Sequence, residues 1–80
     1  MRLDKYLKVS RIIKRRTLAN EACDAGRVVV SGKIARASYD VKVDDIIELT
    51  LGPHAIKVKV LSVNEYATKE TASSMYIAVE

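Results

Sequence analysis

The residues that invite chemistry in this chain are cations, and they crowd its amino-terminal end. Arg2, Lys5, Lys8, Arg11, Lys14, Arg15 and Arg16 stand against one anion, Asp4, within the first 16 residues. Residues 1–36 hold ten cations and three anions, a net +7, whereas residues 37–80 hold four and seven, a net −3. The overall charge of +4 therefore conceals a strongly basic half joined to a weakly acidic one. That asymmetry is the electrostatic footprint of a protein that meets a polyanion, although a solvated basic face produces it too. Lys14-Arg15-Arg16 sharpens the signal. A helix is expected to start just after them, and cations at a helix N-terminus cost about 0.3–1 kcal/mol. Three cations and the free backbone N–H groups of a helix start together suit a phosphate.

Other chemistries find little support. Cys23 and His54 are the single members of their types, and neither belongs to a nucleophile–base motif, so the chain is not expected to be an enzyme. One Cys excludes an internal disulfide and a Cys-based zinc site, and no metal or cofactor is expected. Cys23 reads as a small core residue and His54 as a turn residue. Eighty residues suit one small domain spanning 1–80. A chain of this length buries only about 60–65% of its unfolded surface, which leaves little room for a deep substrate cavity. There is no 18-residue apolar run and no signal-length apolar stretch, so no membrane association and a cytoplasmic location are expected.

Among polyanions, a membrane surface would call for exposed Trp, Phe and Leu on the basic helix, and Phe and Trp are absent. Single-strand binders display several aromatic platforms; here four scattered tyrosines leave only Tyr6 or Tyr39 to stack singly. Major-groove reading needs an exposed recognition helix, and the outward residues expected on the second helix are Asn20, Glu21 and Asp24. Structured RNA, held by its phosphates and shape, remains.

The elements that must position these cations follow from periodicity. Leu3, Tyr6, Leu7, Ser10 and Ile13 recur at helical spacing, opposite Asp4, Lys5, Lys8 and Arg11, with Asp4 and Lys8 spaced as an i,i+4 pair. Thr17 is a candidate N-cap with Asn20-Glu21 near capping-box distance. Leu18, Ala19, Ala22 and Cys23 form the apolar side of a second helix, which Gly26 should stop. Val28-Val29-Val30 and Lys33-Ile34-Ala35 flank a Ser31-Gly32 hairpin turn. After Asp44-Asp45, residues 46–51 and 55–61 alternate as strands, with Ile56, Val58 and Val60 toward the core and Lys57 and Lys59 toward water. Residues 66–74 suit a loop or one helical turn, and 75–79 a last strand, with a helix as the lesser alternative. The expected class is α+β.

These residues also resemble a known family. Arg2-Leu3-Asp4-Lys5-Tyr6-Leu7, Ser10-Arg11, Arg16-Thr17-Leu18-Ala19, Gly26-Arg27-Val28, Val30, Gly32-Lys33 and Val43-Asp44-Asp45-Ile46 are similar to the RNA-binding domain named after small-subunit ribosomal protein S-four. The match covers about 50 of the 80 residues. It differs in having Ser31-Gly32 and Asp44-Asp45 where the family often has Asn-Gly and Gly-Asp. The resemblance implies two N-terminal helices (an alpha-L motif) packed on a small bent antiparallel sheet of four to five strands. It further implies an RNA face on the helix pair and adjoining loop. Arg2, Asp4 and Arg16 match signature positions of that face, and Lys8, Arg11 and Arg15 lie beside them. Leu3, Leu7, Leu18, Gly26 and Gly32 match positions that carry the fold. The candidate RNA-binding set is Arg2, Asp4, Lys5, Lys8, Arg11, Lys14, Arg15, Arg16 and Lys33. Asp4 is expected either to orient basic side chains or to accept a hydrogen bond from a ribose 2′-OH or base edge.

Stand-alone members of this family include the fifteen-kilodalton heat-shock proteins and shorter ribosome-associated quality-control factors of the RqcP type. This chain is similar to the shorter type. That likeness implies binding to large-subunit rRNA and to P-site peptidyl-tRNA during rescue of stalled translation. It also implies work beside a tRNA-recruiting alanine-tailing factor. A monomer is expected. A generic large-subunit binder for ribosome recycling or assembly, like the heat-shock relatives, is the alternative.

Overall fold

In a computed structural model that describes residues 1–65 and 68–79, the chain forms α1 (Leu3–Val9), α2 (Arg16–Asp24), β1 (Val28–Val30), β2 (Lys33–Ile34), β3 (Ile46–Leu51), β4 (His54–Val60), α3 (Lys69–Ala72) and β5 (Tyr76–Ala78). The five strands make one antiparallel sheet in the order β2-β1-β3-β4-β5. The α+β class and the strand count agree with expectation.

Helix α1 buries Leu3, Tyr6 and Leu7 completely, as their i, i+3, i+4 spacing dictates. It ends sooner than the apolar period suggests. Ser10 is the C-cap and Arg11 takes a left-handed φ of +64°, which turns the chain away from the helix axis. Ile13 still reaches the core because its N–H donates to the Leu7 carbonyl at 3.0 Å, so a loop delivers it there instead of a further helical turn. At the other end, the first free N–H groups of α1 are satisfied across the molecule. Leu3 N–H donates to the Tyr39 carbonyl at 2.8 Å and Asp4 N–H to that of Ala37 at 3.2 Å.

Helix α2 starts at Arg16 with Arg15 as an extended N-cap and no side-chain cap, so the expected box from Thr17 does not form. Thr17 already lies inside the first turn. The helix stops as expected: Gly26 adopts φ +72°, Arg27 N–H reaches the Ala22 carbonyl and Gly26 N–H that of Cys23, both at 3.0 Å. This is a Schellman closure, and its positive φ suits glycine. Ala19, Ala22 and Cys23 are buried, but Leu18, expected beside them, is 50% exposed.

In the sheet, Val30 pairs with Lys33 across a two-residue turn in which Ser31 (φ +51°) and Gly32 (φ +85°) both lie in the left-handed region. That is the type I′ geometry whose twist matches an antiparallel hairpin. Strands β3 and β4 pair from Ile46↔Lys59 to Leu51↔His54, so His54 opens a strand and only Gly52-Pro53 form the turn. Ile47, Leu49, Val58 and Val60 are buried against the helices. Ile56 has the right parity but is exposed, because β4 is covered only toward its Val60 end. Residues 66 and 67, within the stretch expected to be a loop or a helical turn, lie outside the described residues; Thr68 caps the short α3 through a capping box with Thr71.

Candidate nucleic-acid interface

Helix α1 carries Asp4 to its junction with α2, where the side chain is 3% exposed. The i,i+4 partnership with Lys8 is not made. Instead Oδ1 accepts the backbone N–H of Lys5 at 2.8 Å and Nε of Arg2 at 3.3 Å. Oδ2 accepts Nε of Arg16 and Nδ2 of Asn20, each at 3.4 Å, and a terminal nitrogen of Arg2 at 3.5 Å. Arg16 and Asn20 lie four residues apart on α2 and so share a face, the spacing that lets one carboxylate hold both. Among the described residues no buried side-chain polar atom lacks a partner.

The electrostatics follow from this geometry. Burial opposes ionisation of Asp4, but hydrogen bonds from Asn20, the Lys5 N–H and Arg16, with the Arg16 charge, outweigh it and hold the carboxyl below its ordinary value. Five contacts from Arg2, Arg16, Asn20 and the Lys5 N–H occupy the roughly four lone-pair sites a carboxylate offers. Arg2 and Arg16 remain about half exposed. Arg16 meets Asp4 through Nε alone, which leaves the terminal NH2 groups of its planar guanidinium to donate to two oxygens of an anion.

The remaining candidates divide into groups. Lys8, Arg11 and Lys14 line one polar groove of about 560 Å³ with Val9 and Glu65. Glu65 is engaged by Lys5 Nζ at 3.5 Å, so Lys5 is partly neutralised and the groove stays net positive. Arg15 is exposed at the α2 N-cap. Lys33 is exposed on β2 and lines neither this groove nor the next, so the fold does not gather it with the others. A second groove of about 530 Å³ borders Arg2 and Asn20 and adds Arg36. Neither Asn20 as a partner of Asp4 nor Arg36 belongs to the set expected from sequence; the i,i+4 spacing from Arg16 was a signal for Asn20, while Arg36 had only its charge.

Both tyrosines are otherwise employed. Tyr6 is fully buried with its hydroxyl donating to the Met75 carbonyl at 2.9 Å, and so cannot stack on a base. Tyr39 is half-buried and donates to Asp45 Oδ2 at 2.9 Å. Burial pushes the Cys23 thiol up to about 11, with Asp4 and Asp24 adding to the shift, which makes it a weak nucleophile. No group of three metal-ligating side chains occurs among the described residues, and no helix is long and apolar enough to cross a membrane.

The sequence model of the S4 domain family matches residues 1–47. The chain is 54% identical over 76 residues to the RQC P-site tRNA stabilizing factor of Streptococcus pneumoniae, covering 95% of this chain and 86% of that protein. It is 49% identical over 76 residues to the protein of the same name from Halalkalibacterium halodurans, with the same two coverages of 95% and 86%. Among solved structures it is similar to Heat Shock Protein 15 of Vibrio cholerae, described as trimeric, with a TM-score of 0.90 and 26% identity over 99% of this chain and 81% of that one.

Proposed function

This chain belongs to the S4 domain family, and from that premise we propose that it is a non-enzymatic RNA-binding factor that stabilises P-site tRNA on the large ribosomal subunit during rescue of stalled translation. The observation that carries this reading is the buried Asp4 carboxylate holding Arg2 and Arg16 side by side at the helix junction. Fixing two guanidinium groups before RNA arrives removes part of the ordering cost of binding. Arg2 and Arg16 supply the oriented phosphate contacts. Lys8, Arg11, Lys14 and Arg15 add positive field beside them, with smaller shares from Lys5, already paired with Glu65, and from Lys33 on its separate strand.

Mechanistically the protein is a clamp. It lowers the free energy of one tRNA position by contacts to rRNA and tRNA phosphates, and no bond is made or broken. The partners on this reading are large-subunit rRNA, peptidyl-tRNA and an alanine-tailing factor that recruits tRNA; the protein acts as a monomer in the cytoplasm. Relatives at about 50% identity are named for P-site tRNA stabilisation in RQC, which supports this reading over a generic assembly role. Sedimentation of tagged protein tests it. Wild-type protein should travel with large subunits that carry peptidyl-tRNA, and Arg16→Ala should remain at the top of the gradient. Co-sedimentation that is indifferent to the presence of peptidyl-tRNA would favour the recycling or assembly role instead.

A further inference from the structure

On the flank of α2 away from Arg16 and Asn20 lies an apolar slot of about 470 Å³ whose walls include Ile12, Leu18 and Ala25. Leu18 stands half exposed there beside Ala22 and Ala25, in a chain whose core has no Phe or Trp to spare. Three charged groups also line it. Lys14 and Arg27 are cations with aliphatic stems, and Glu21 is an exposed carboxylate. None of the three makes an ion pair among the described residues. Lys14 also borders the groove of Lys8 and Arg11, so the slot continues the basic surface around the start of α2.

We propose that this slot receives one unstacked guanine of the bound RNA. The inference rests on the RNA-binding reading above and names the nucleotide that a second part of the same surface selects. A nucleotide combines a flat, weakly polar face, a hydrogen-bonding edge and flanking phosphates. The aliphatic wall offers the face a surface, Lys14 and Arg27 match the phosphates, and Glu21 meets the edge. An acidic peptide brings only acceptors to the Glu21 carboxylate, whereas a nucleotide can bring base N–H donors to it and phosphates to the cations; an apolar peptide would use none of the three charges. The carboxylate also selects among bases. Guanine sets two donors, N1–H and the 2-amino group, side by side for a bidentate acceptor. Adenine and cytosine each place a ring acceptor next to their amino group, and uracil flanks its one donor with two acceptors. An aliphatic slot also supplies a base contact that the buried Tyr6 cannot.

Binding of three labelled RNA hairpins that share one stem tests this: one with a single bulged guanosine, one with a bulged adenosine, one without a bulge. Wild-type protein should bind the guanosine hairpin at least about fivefold more tightly than the adenosine one, the low end of discrimination by a bidentate contact. Glu21→Gln, which keeps size and helix propensity, should erase that preference while leaving the unbulged hairpin within about twofold, as expected when no phosphate contact is removed. Leu18→Ser should bring both bulged hairpins down to the unbulged level, and Arg16→Ala should weaken all three alike. Equal binding of the three hairpins by wild-type protein, as a peptide-binding slot would give, overturns the guanine site and leaves the RNA clamp standing. A guanosine preference that survives both Glu21→Gln and Leu18→Ser also overturns it. Failure of every hairpin to bind at low salt overturns the clamp and the slot together.

Discussion

Asp4 and Arg16 meet at 3.4 Å between the two helices, twelve positions apart in the chain. The acid is almost wholly buried and the guanidinium half exposed. One end of the pair therefore belongs to the packing of α1 on α2 and the other to the surface. This couples the docking of the helices to the display of the cation, and the consequences can be measured.

Asp4→Asn keeps the shape but removes the charge that orients Arg2 and Arg16. A buried hydrogen-bonded carboxylate with half-exposed partners should contribute about 1–3 kcal/mol. The sign with pH is definite. The folded-state carboxyl titrates below its unfolded value, so its contribution is fully present above the unfolded value near 4 and is lost as pH falls through the lower folded one. Urea unfolding of wild type and Asp4→Asn should thus differ at pH 6 and converge in acid. A difference that does not shrink in acid would mean that Asp4 acts through packing alone.

Arg16→Ala removes one half-exposed cation whose partner keeps other donors, so the thermal midpoint should move by only a few degrees, about 4–8 °C per kcal/mol for a domain of this size. RNA affinity should fall, and the slope of log affinity against log salt should flatten by roughly 0.7–0.9 for each phosphate that is no longer neutralised. A substitution that unfolds the domain, or leaves the slope unchanged, would make Arg16 a structural residue.

Arg11 holds φ +64°, a conformation that costs a residue with a Cβ about 1–2 kcal/mol relative to glycine. Its retention beside Lys8 and Lys14 trades stability for charge. Arg11→Gly should therefore raise stability by about 0.5–1 kcal/mol, after the entropy glycine adds to the unfolded chain. The same change should weaken RNA binding. Thermal denaturation and a binding titration on the same protein read the two effects, and a loss of stability would refute the trade.

Tyr6→Phe deletes the hydroxyl that donates to the Met75 carbonyl, which keeps the Leu61 and Ser62 N–H groups as donors, so the loss should be that of one hydrogen bond, about 0.5–1.5 kcal/mol. RNA affinity should not change once both proteins are fully folded. Weaker binding at equal folded fraction would mean that Tyr6 shapes the RNA face.

Much of this molecule is written in local signals. The burial of Leu3, Tyr6 and Leu7, the stop at Gly26, the Ser31-Gly32 hairpin and the bounds of β3 depend on spacing and on which residues tolerate positive φ. Charge density along the first 16 residues marks the candidate RNA face before any fold is known. Such features arise among neighbours in the chain, so neighbours report them.

What only tertiary structure decided is where each of those residues ends up. Helical periodicity put Asp4 among the solvated cations, whereas packing of α2 on α1 buries it and exchanges Lys8 for Arg2, Arg16 and Asn20 as partners. The same packing left Leu18 at the surface, opposite to its expected place on the apolar side of α2. Strand parity could not foresee that the Ile56 end of β4 lies uncovered. The physical reason is common to all three. Periodicity fixes the angle of a side chain about its own element, but burial and ion pairing depend on which second element covers that angle, and the distance that decides it spans residues far apart in the chain.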